Sequence, residues 1–330
     1  MNSRNDERSA LRPSGGFAIE VLGLSKTYDS GVQALSGLDL TVEKSTVYAL
    51  LGPNGAGKTT TISILTTLLS ATAGKASVNG RDVEQDDRAV RESIGVTFQE
   101  MVLDDALTGR QVLAYHGRLS ALSSRECRKR SDELLALVEL SDAADRRCKT
   151  YSGGMKRRLE LARALMTVPS VLFLDEPTLG LDPVGREKIW SYVRRLVKET
   201  GLTVLLTTHY LDEATQLADR VGIMDQGTLV VEGTPAELID SLGEDSVTLT
   251  GTGSVDALSQ KLGSMDFVQS VTAVDRGVLV GVSSASRRIV DIVTAAAEAG
   301  FEVTDVSAAT PDLGAVFFRY TGHEMNNGGE

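Results

Sequence analysis

The 330-residue chain is 42% hydrophobic and 24% charged, the balance of a soluble globular protein with a buried core in one large or two modest domains. A net charge of −11 and a pI near 4.9 weigh against a nucleic-acid partner, which would require a basic face. Cys127 and Cys148 match neither zinc spacing nor a disulfide framework, which points to a reduced cytosolic setting. No apolar run has the length of a bilayer span and no signal-peptide stretch is present, so any action at a membrane requires another chain to supply the membrane part.

Residues 1–16 are polar, end in Pro13-Ser14-Gly15-Gly16 and predict a flexible tail. Ala18 to Leu22 predicts a strand, and Tyr28 follows in a turn-rich stretch. Leu38, Leu40 and Val42 alternate with polar residues, which predicts a half-exposed strand and a mixed sheet. Val47 to Leu51 is a continuous apolar run, the mark of a buried strand, and Ile62, Leu65 and Leu69 recur at helical spacing. Between them stand Gly52, Pro53, Asn54, Gly55, Ala56, Gly57, Lys58, Thr59 and Thr60, which fit G-x-x-x-x-G-K-[ST] in its required strand–loop–helix context. Glycines let backbone N–H groups turn inward on phosphate oxygens; the helix dipole and Lys58 add positive charge. Thr59 offers a hydroxyl to a magnesium ion bridging two phosphates.

From about residue 100 to 165 the chain is rich in Leu, Ala, Arg and Glu and predicts a helical insertion, with Arg125 to Arg130 as a solvated face. Ser152, Gly153 and Gly154 open a helix carrying Met155, Leu159, Ala162 and Met166 on one face. Val171 to Leu174 is a buried strand that ends in Asp175-Glu176-Pro177. Asp182 followed by Pro183 starts a helix that Gly201 stops. Thr203 to Thr207 is a strand leading to His209; Val221–Met224 and Leu229–Glu232 flank a hairpin turn, and Thr234 to Glu237 is a capping box. Beyond residue 244 the order β-α-β-β-α-β predicts a small ferredoxin-like α+β module, ending in an apolar helix with Val316, Phe317 and Tyr320. Residues 323–330 read as a second tail.

Several of these positions suit nucleotide chemistry. Asp175 can hold Mg²⁺ and Glu176 can polarise an attacking water, since both end a buried strand. The Ser152–Gly154 helix start is a second anion site, whose simpler reading is a helix cap. His209 can touch a γ-phosphate, the Gln99 amide can reach Mg²⁺, and Tyr28 can stack on an adenine.

In this order, Tyr28, Gly52–Thr59, Gln99, Ser152–Met155, Asp175–Glu176, Asp182 and His209 resemble the ATP-binding subunit of ABC transporters over about residues 18–240. The resemblance implies a P-loop NTPase α/β cassette over residues 17–243, with a mixed core sheet, an antiparallel β subdomain and the helical insertion. It makes Tyr28 the A-loop aromatic, Gly52–Thr59 the Walker A loop and Gln99 the Q-loop glutamine. Ser152–Met155 becomes the signature motif, Asp175 and Glu176 the Walker B pair, Asp182 the D-loop and His209 the switch histidine. ATP and Mg²⁺ are the implied cofactors. A second copy of the chain and a separate membrane permease are the implied partners, and the cytoplasmic face of the membrane is the implied location.

Asp104 to Gly109, Tyr151 to Leu159, Thr207 to Ala214 and Val316 to Gly322 further resemble the daunorubicin-resistance group, which is associated with drug or lipid export. Met155 stands where many signature motifs have Gln; Leu179 replaces a small polar residue, and Gly314-Ala315 occupies the place of an acidic pair. Two competing readings are a soluble ABC-type ATPase working on ribosomes or DNA, and a nucleotide-gated protein that does not hydrolyse. One cassette, an acidic balance and no zinc spacing oppose the first; Glu176 and His209 together oppose the second.

Overall fold

The computed structural model describes residues 16–100, 102–243, 245–274, 276–282, 285–309 and 311–322. The expected tails at 1–16 and 323–330, Gly16 apart, and Asp275 of the expected hairpin turn lie outside the described residues. Among the described residues the chain divides into two compact units, one running through Pro235 and one starting at Ala236.

The first unit begins with β1 (Phe17–Thr27), β2 (Gln33–Glu43), β3 (Val47–Leu51), α1 (Lys58–Leu65), β4 (Ala73–Val78), β5 (Arg81–Asp82), α2 (Asp87–Ser93) and β6 (Ile94–Thr97). Next come α3 (Gly109–Leu119), α4 (Ser124–Leu137), α5 (Gly153–Ala164), β7 (Val171–Asp175), α6 (Pro183–Thr200), β8 (Thr203–Thr208), α7 (Leu211–Leu217), β9 (Arg220–Asp225) and β10 (Thr228–Gly233). The core sheet has the order β10-β9-β3-β8-β7-β6. All its neighbours pair in parallel except β10, which runs antiparallel to β9. Every residue of β3, β7 and β8 is buried. Continuous apolar runs of this kind belong to parallel strands covered on both faces, which is why these segments lack alternation.

The sheet is mixed for a different reason from the one the sequence suggests. β1 and β2 do not join it; they pair antiparallel and form a separate sheet, β2-β1-β4-β5. The alternation of Leu38, Leu40 and Val42 is real, since all three are buried between exposed neighbours. It places one face of β2 on the hydrophobic core that also holds Ile62, Leu65, Val171 and Phe173. The insertion supplies α3, α4 and α5. Thr108 and Ser123 each complete a capping box, with Gln111 and Glu126 as the reciprocal partners. Within the basic run on α4, Arg125, Arg128 and Lys129 are exposed, as a solvated face requires.

The second unit contains most of α8 (Pro235–Asp240), then β11 (Asp245–Thr252), α9 (Val255–Gly263), β12 (Val268–Val274), β13 (Gly277–Val282), α10 (Ala285–Glu298), β14 (Glu302–Ala309) and α11 (Leu313–Thr321). Its antiparallel sheet has the order β12-β13-β11-β14. Val247, Leu249, Val278 and Val280 meet Leu258, Leu262, Ile292 and Ala296 of the helices in its core. The unit starts earlier than the composition shift near residue 244. Arg319 of α11 donates to the Ser241 carbonyl at 3.2 Å, which ties the end of α8 into this unit. Of the apolar residues expected on α11, Val316 and Phe317 are buried while Tyr320 is 40% exposed.

Behind the core sheet, Trp190 of α6 donates from Nε1 to Glu213 of α7 at 2.9 Å. Glu213 is fully buried, and burial is the main cause holding its pKa above the ordinary 4.5. A carboxyl raised in this way contributes stability that is complete below pH 4.5 and lost as pH rises through the folded-state pKa. Glu213→Gln keeps an acceptor for Trp190 and cannot ionise. Its melting temperature minus that of the wild type should grow as pH rises from mildly acidic to mildly alkaline, each kcal/mol reading as about 2–4 °C. Thermal melts at the two pH values check this; a difference independent of pH would show that Glu213 ionisation is not coupled to stability.

Candidate functional site

The site is built where three neighbouring core strands end. β3 stops at Leu51 and α1 starts at Lys58, so the loop Gly52–Gly57 bridges strand and helix. Two glycines there have no substitute. Gly57 has φ of 103°, and a Cβ on it would stand 2.6 Å from the Ala34 carbonyl oxygen and 2.7 Å from Leu35. A Cβ on Gly52 would stand 2.6 Å from the Met224 carbonyl oxygen. The loop is further fixed by Ala56 N–H donating to Pro53 at 3.2 Å and by Gly227 N–H donating to Ala56 at 3.1 Å. Asn54, Gly55 and Thr59 are exposed, while Ala56, Gly57 and Lys58 are buried. The Lys58 ammonium donates to the Gly52 and Pro53 carbonyls at 2.7 and 3.0 Å. Burial pulls the Lys58 pKa down, and Glu176 and Asp175 counter that pull.

β7 carries the carboxylates. Asp175 is its last residue, and Glu176 follows with φ of 49°, a left-handed conformation for a side-chain-bearing residue. Asp175 accepts from Thr207 at 2.5 Å and from Thr59 at 3.5 Å, through Oδ1 in both cases. Burial raises the Asp175 pKa, the Thr207 and Thr59 hydroxyls lower it, and Glu176 raises it further. Glu176 moves the other way: its bond from His209 lowers its pKa most, against a smaller desolvation effect. Two adjacent carboxyls are thus pushed apart, with Glu176 held as the anion.

Glu176 is also the meeting point of the expected residues. His209, one residue beyond β8, places Nδ1 3.3 Å from Glu176 Oε1. Gln99 Nε2 donates to Glu176 Oε2 at 3.2 Å. The Glu176 N–H donates to Thr207, to the carbonyl oxygen and to Oγ1, each at 3.1 Å. Lys58, Thr59, Gln99, Asp175, Glu176 and His209 therefore share one polar corner. Tyr28 reaches its edge, with its hydroxyl 3.1 Å from Thr60 Oγ1; the residue is 38% exposed, and the Lys26 ammonium stands 5.6 Å from its ring centroid.

Ser152, Gly153, Gly154 and Asp182 stand outside that corner. Ser152 caps α5, accepting from Met155 N–H at 3.2 Å, and Asp182 caps α6, accepting from Gly185 N–H at 3.0 Å. The partners of both side chains lie in their own helices. Ser152 and Gly153 are exposed, and a Cβ on Gly154 would stand 3.9 Å from Leu181, next to Asp182. The α5 terminus presents free backbone N–H groups, the arrangement that binds anions.

Two contributors lie inside the resembling segments Tyr151–Leu159 and Thr207–Ala214 without a role read from sequence. Thr207 holds both carboxylate residues from β8, where it sits opposite Asp175 in parallel register. Arg157, 4% exposed, donates to carbonyls around Glu176, and nothing in the run Lys156-Arg157-Arg158 marks it off from its neighbours. Among the described residues no group of three or more His, Cys, Asp or Glu could cage a metal. The oxygens of Thr59 and Asp175 fit instead a Mg²⁺ that takes one or two protein ligands and completes its shell from phosphate and water.

A model of the ABC transporter family matches residues 35–179. A daunorubicin resistance ATP-binding protein of Streptomyces coeruleorubidus is 45% identical over 310 residues, covering 93% of this chain and 96% of that protein. A doxorubicin resistance ATP-binding protein of Mycobacterium tuberculosis is 40% identical, covering 92% of this chain and 94% of its own. Among solved structures, cbiO1 from Clostridium perfringens, part of an ABC transporter complex, superposes with a TM-score of 0.64 at 30% identity, covering 69% of this chain and 92% of that one. A dimeric ATP-binding cassette in a post-hydrolysis state with ADP and Pi gives 0.61 at 29% identity, covering 66% of this chain and 98% of that one. The phosphate loop, the carboxylates at the end of β7 and likeness along nearly the whole chain lead to one conclusion: the protein belongs to the ABC transporter family, as an ATP-binding and ATP-hydrolysing subunit.

Proposed function

We propose that two copies of this chain sandwich two ATP molecules, each held between Lys58 of one copy and Ser152 of the other, and drive a separate membrane permease that exports a drug, antibiotic or lipid-like compound. The observation that carries the reading is Glu176, ionised and held between Gln99 and His209 beside the phosphate loop. Glu176 accepts a proton from the attacking water, and His209 fixes the carboxylate and reaches toward the γ-phosphate. Lys58 and the loop N–H groups hold the phosphates. Thr59 and Asp175 would hold Mg²⁺, with the Gln99 amide beside them, and the ion would neutralise phosphate charge. Positioning and electrostatics do most of the work in phosphoryl transfer.

The dimer is supported by the separation of the two anion sites. Among the described residues Ser152–Gly154 show no contact with the chain's own phosphate loop and expose a helix start, and a similar cassette is dimeric. The permease is supported by the lack, among the described residues, of any helix long and apolar enough to cross a membrane. We assign its docking surface to the cleft of about 400 Å³ beside Gln99, which is lined by Leu68, Arg91, Phe98, His116 and Arg163 and flanked by exposed Tyr115 and Leu119. That arrangement puts the protein at the cytoplasmic face of the membrane, and leaves substrate choice to the permease. The exported class is supported by the resistance names of relatives 40–51% identical. We read the second unit as a module that stabilises the dimer, through exposed Phe318 and Tyr320 of α11.

Glu176→Gln removes the anion and keeps the shape, so single-turnover hydrolysis should fall about 10²–10⁴-fold with ATP affinity unchanged. Wild-type turnover in that variant would sink the assignment. Lys58→Ala and Ser152→Ala should each be inactive alone, and mixing them should restore about a quarter of wild-type turnover, because half the dimers then hold one intact composite site. No recovery on mixing counts against the shared site. Phe318→Ser with Tyr320→Ser should weaken self-association in sedimentation; unchanged association would refute the role given to the second unit.

A further inference from the structure

Arg157 is the most heavily bonded buried cation of the first unit among the described residues, and nothing in the proposed chemistry uses it. It sits one turn into α5, the helix that starts with Ser152 as its cap. It is 4% exposed. Nε donates to the Pro177 carbonyl at 2.7 Å, and Nη1 to the Phe98 carbonyl at 2.8 Å. Nη2 donates to the Asp175 carbonyl at 3.0 Å and, closer still, to the Glu176 carbonyl. Glu160, one turn along α5 and fully buried, neutralises it, with Oε2 3.3 Å from Nη1. One planar group thus binds three successive carbonyls of the turn that carries Glu176, and the carbonyl of the residue just before Gln99.

We propose that Arg157 is a positioning residue for hydrolysis, which locks the backbone of Glu176 and the start of the Gln99 segment onto α5. The geometry explains why this falls to arginine. Five N–H donors in a rigid fork can serve four carbonyls in fixed directions, and a lysine ammonium offers three donors from one point. Glu176 needs such a clamp because its φ of 49° is one that side-chain-bearing residues seldom hold unaided. Its N–H is anchored on Thr207 and its carbonyl on Arg157, so the carboxylate is aimed from both sides of its own Cα. The clamp also has a direction. α5 opens with Ser152–Gly154, which the dimer reading places on the nucleotide of the second copy. Arg157 then connects occupancy of that nucleotide to the aim of Glu176 at the chain's own. This inference rests on the reading of Glu176 as the base.

The test compares Arg157→Lys and Arg157→Met with wild type and with Glu176→Gln, in the full chain. A misplacement of the order of 1 Å costs about 10²-fold in rate. Arg157→Met should therefore lower the single-turnover rate by about that factor and Arg157→Lys by about tenfold, with ATP affinity within twofold of wild type. The deciding measurement is the double variant: in the Glu176→Gln background, Arg157→Lys should lower the residual rate by less than twofold, because the residue through which it acts is already disabled. A residue that merely holds the fold together would lower both rates by the same factor, or weaken ATP binding in step with the melting temperature. Either result overturns the proposal, as does wild-type turnover in Arg157→Lys. If Arg157→Met does not fold, the lysine series alone decides. If Glu176→Gln itself retains full turnover, the base assignment falls, which is a different failure from additive losses.

Discussion

The structure turns on keeping several charges in one water-poor corner without letting any of them go unpaired. Lys58, Asp175, Glu176 and Arg157 are each less than a tenth exposed. An isolated buried charge costs several kcal/mol, a large share of a domain's stability margin, so each is neutralised where it sits. The pairings are specific. Glu176 and Asp175 support the charge on Lys58; Glu160 supports Arg157; and His209 and Gln99 close on Glu176. The arrangement also separates the two carboxyls by task. Asp175, raised by burial, is tied to hydroxyls of Thr59 and Thr207, and Glu176, lowered by His209, keeps its negative charge for chemistry.

The sheet makes this corner possible. β3, β8 and β7 are adjacent and parallel, so their carboxyl ends emerge side by side. The phosphate loop leaves the first, Thr207 and His209 close the second, and Asp175 and Glu176 end the third. Parallel neighbours require long crossovers, and the helices that make them bury both faces of the strands. The same apolar runs that build the core therefore fix the heights at which the polar residues appear. A register slip of one residue in β7 would turn Asp175 away from Thr207 and Thr59.

Much of the cassette was legible because its chemistry leaves marks in composition and spacing. Gly52 and Gly57 are irreplaceable on packing grounds, and glycines at that spacing before a Lys-Thr pair are readable in one dimension. The buried strands announced themselves by lacking alternation. What stayed hidden depends on long-range geometry. β1 and β2 alternate as any antiparallel strands do, and nothing local says which sheet they join. Most of α8 belongs to the second unit, and Arg319, far along the chain, bonds the Ser241 carbonyl just beyond its end. Gln99, His209 and Tyr28 were weak alone and were identified by order, while Arg157 was hidden by its likeness to the exposed basic residues of the insertion.

Arg157 also works against backbone strain in the turn that it holds. A side-chain-bearing residue in the left-handed region costs on the order of 1–3 kcal/mol at a functional site. A hydrogen bond to a charged group contributes about 1.5–3 kcal/mol, and the guanidinium makes such bonds to Asp175, Glu176 and Pro177 in one turn. Those bonds act against the strain and hold the turn. A residue kept in an unfavourable backbone state by a buried cation, within reach of two side chains that read its carboxylate, is pre-organised for a transition state in which it must already be in place.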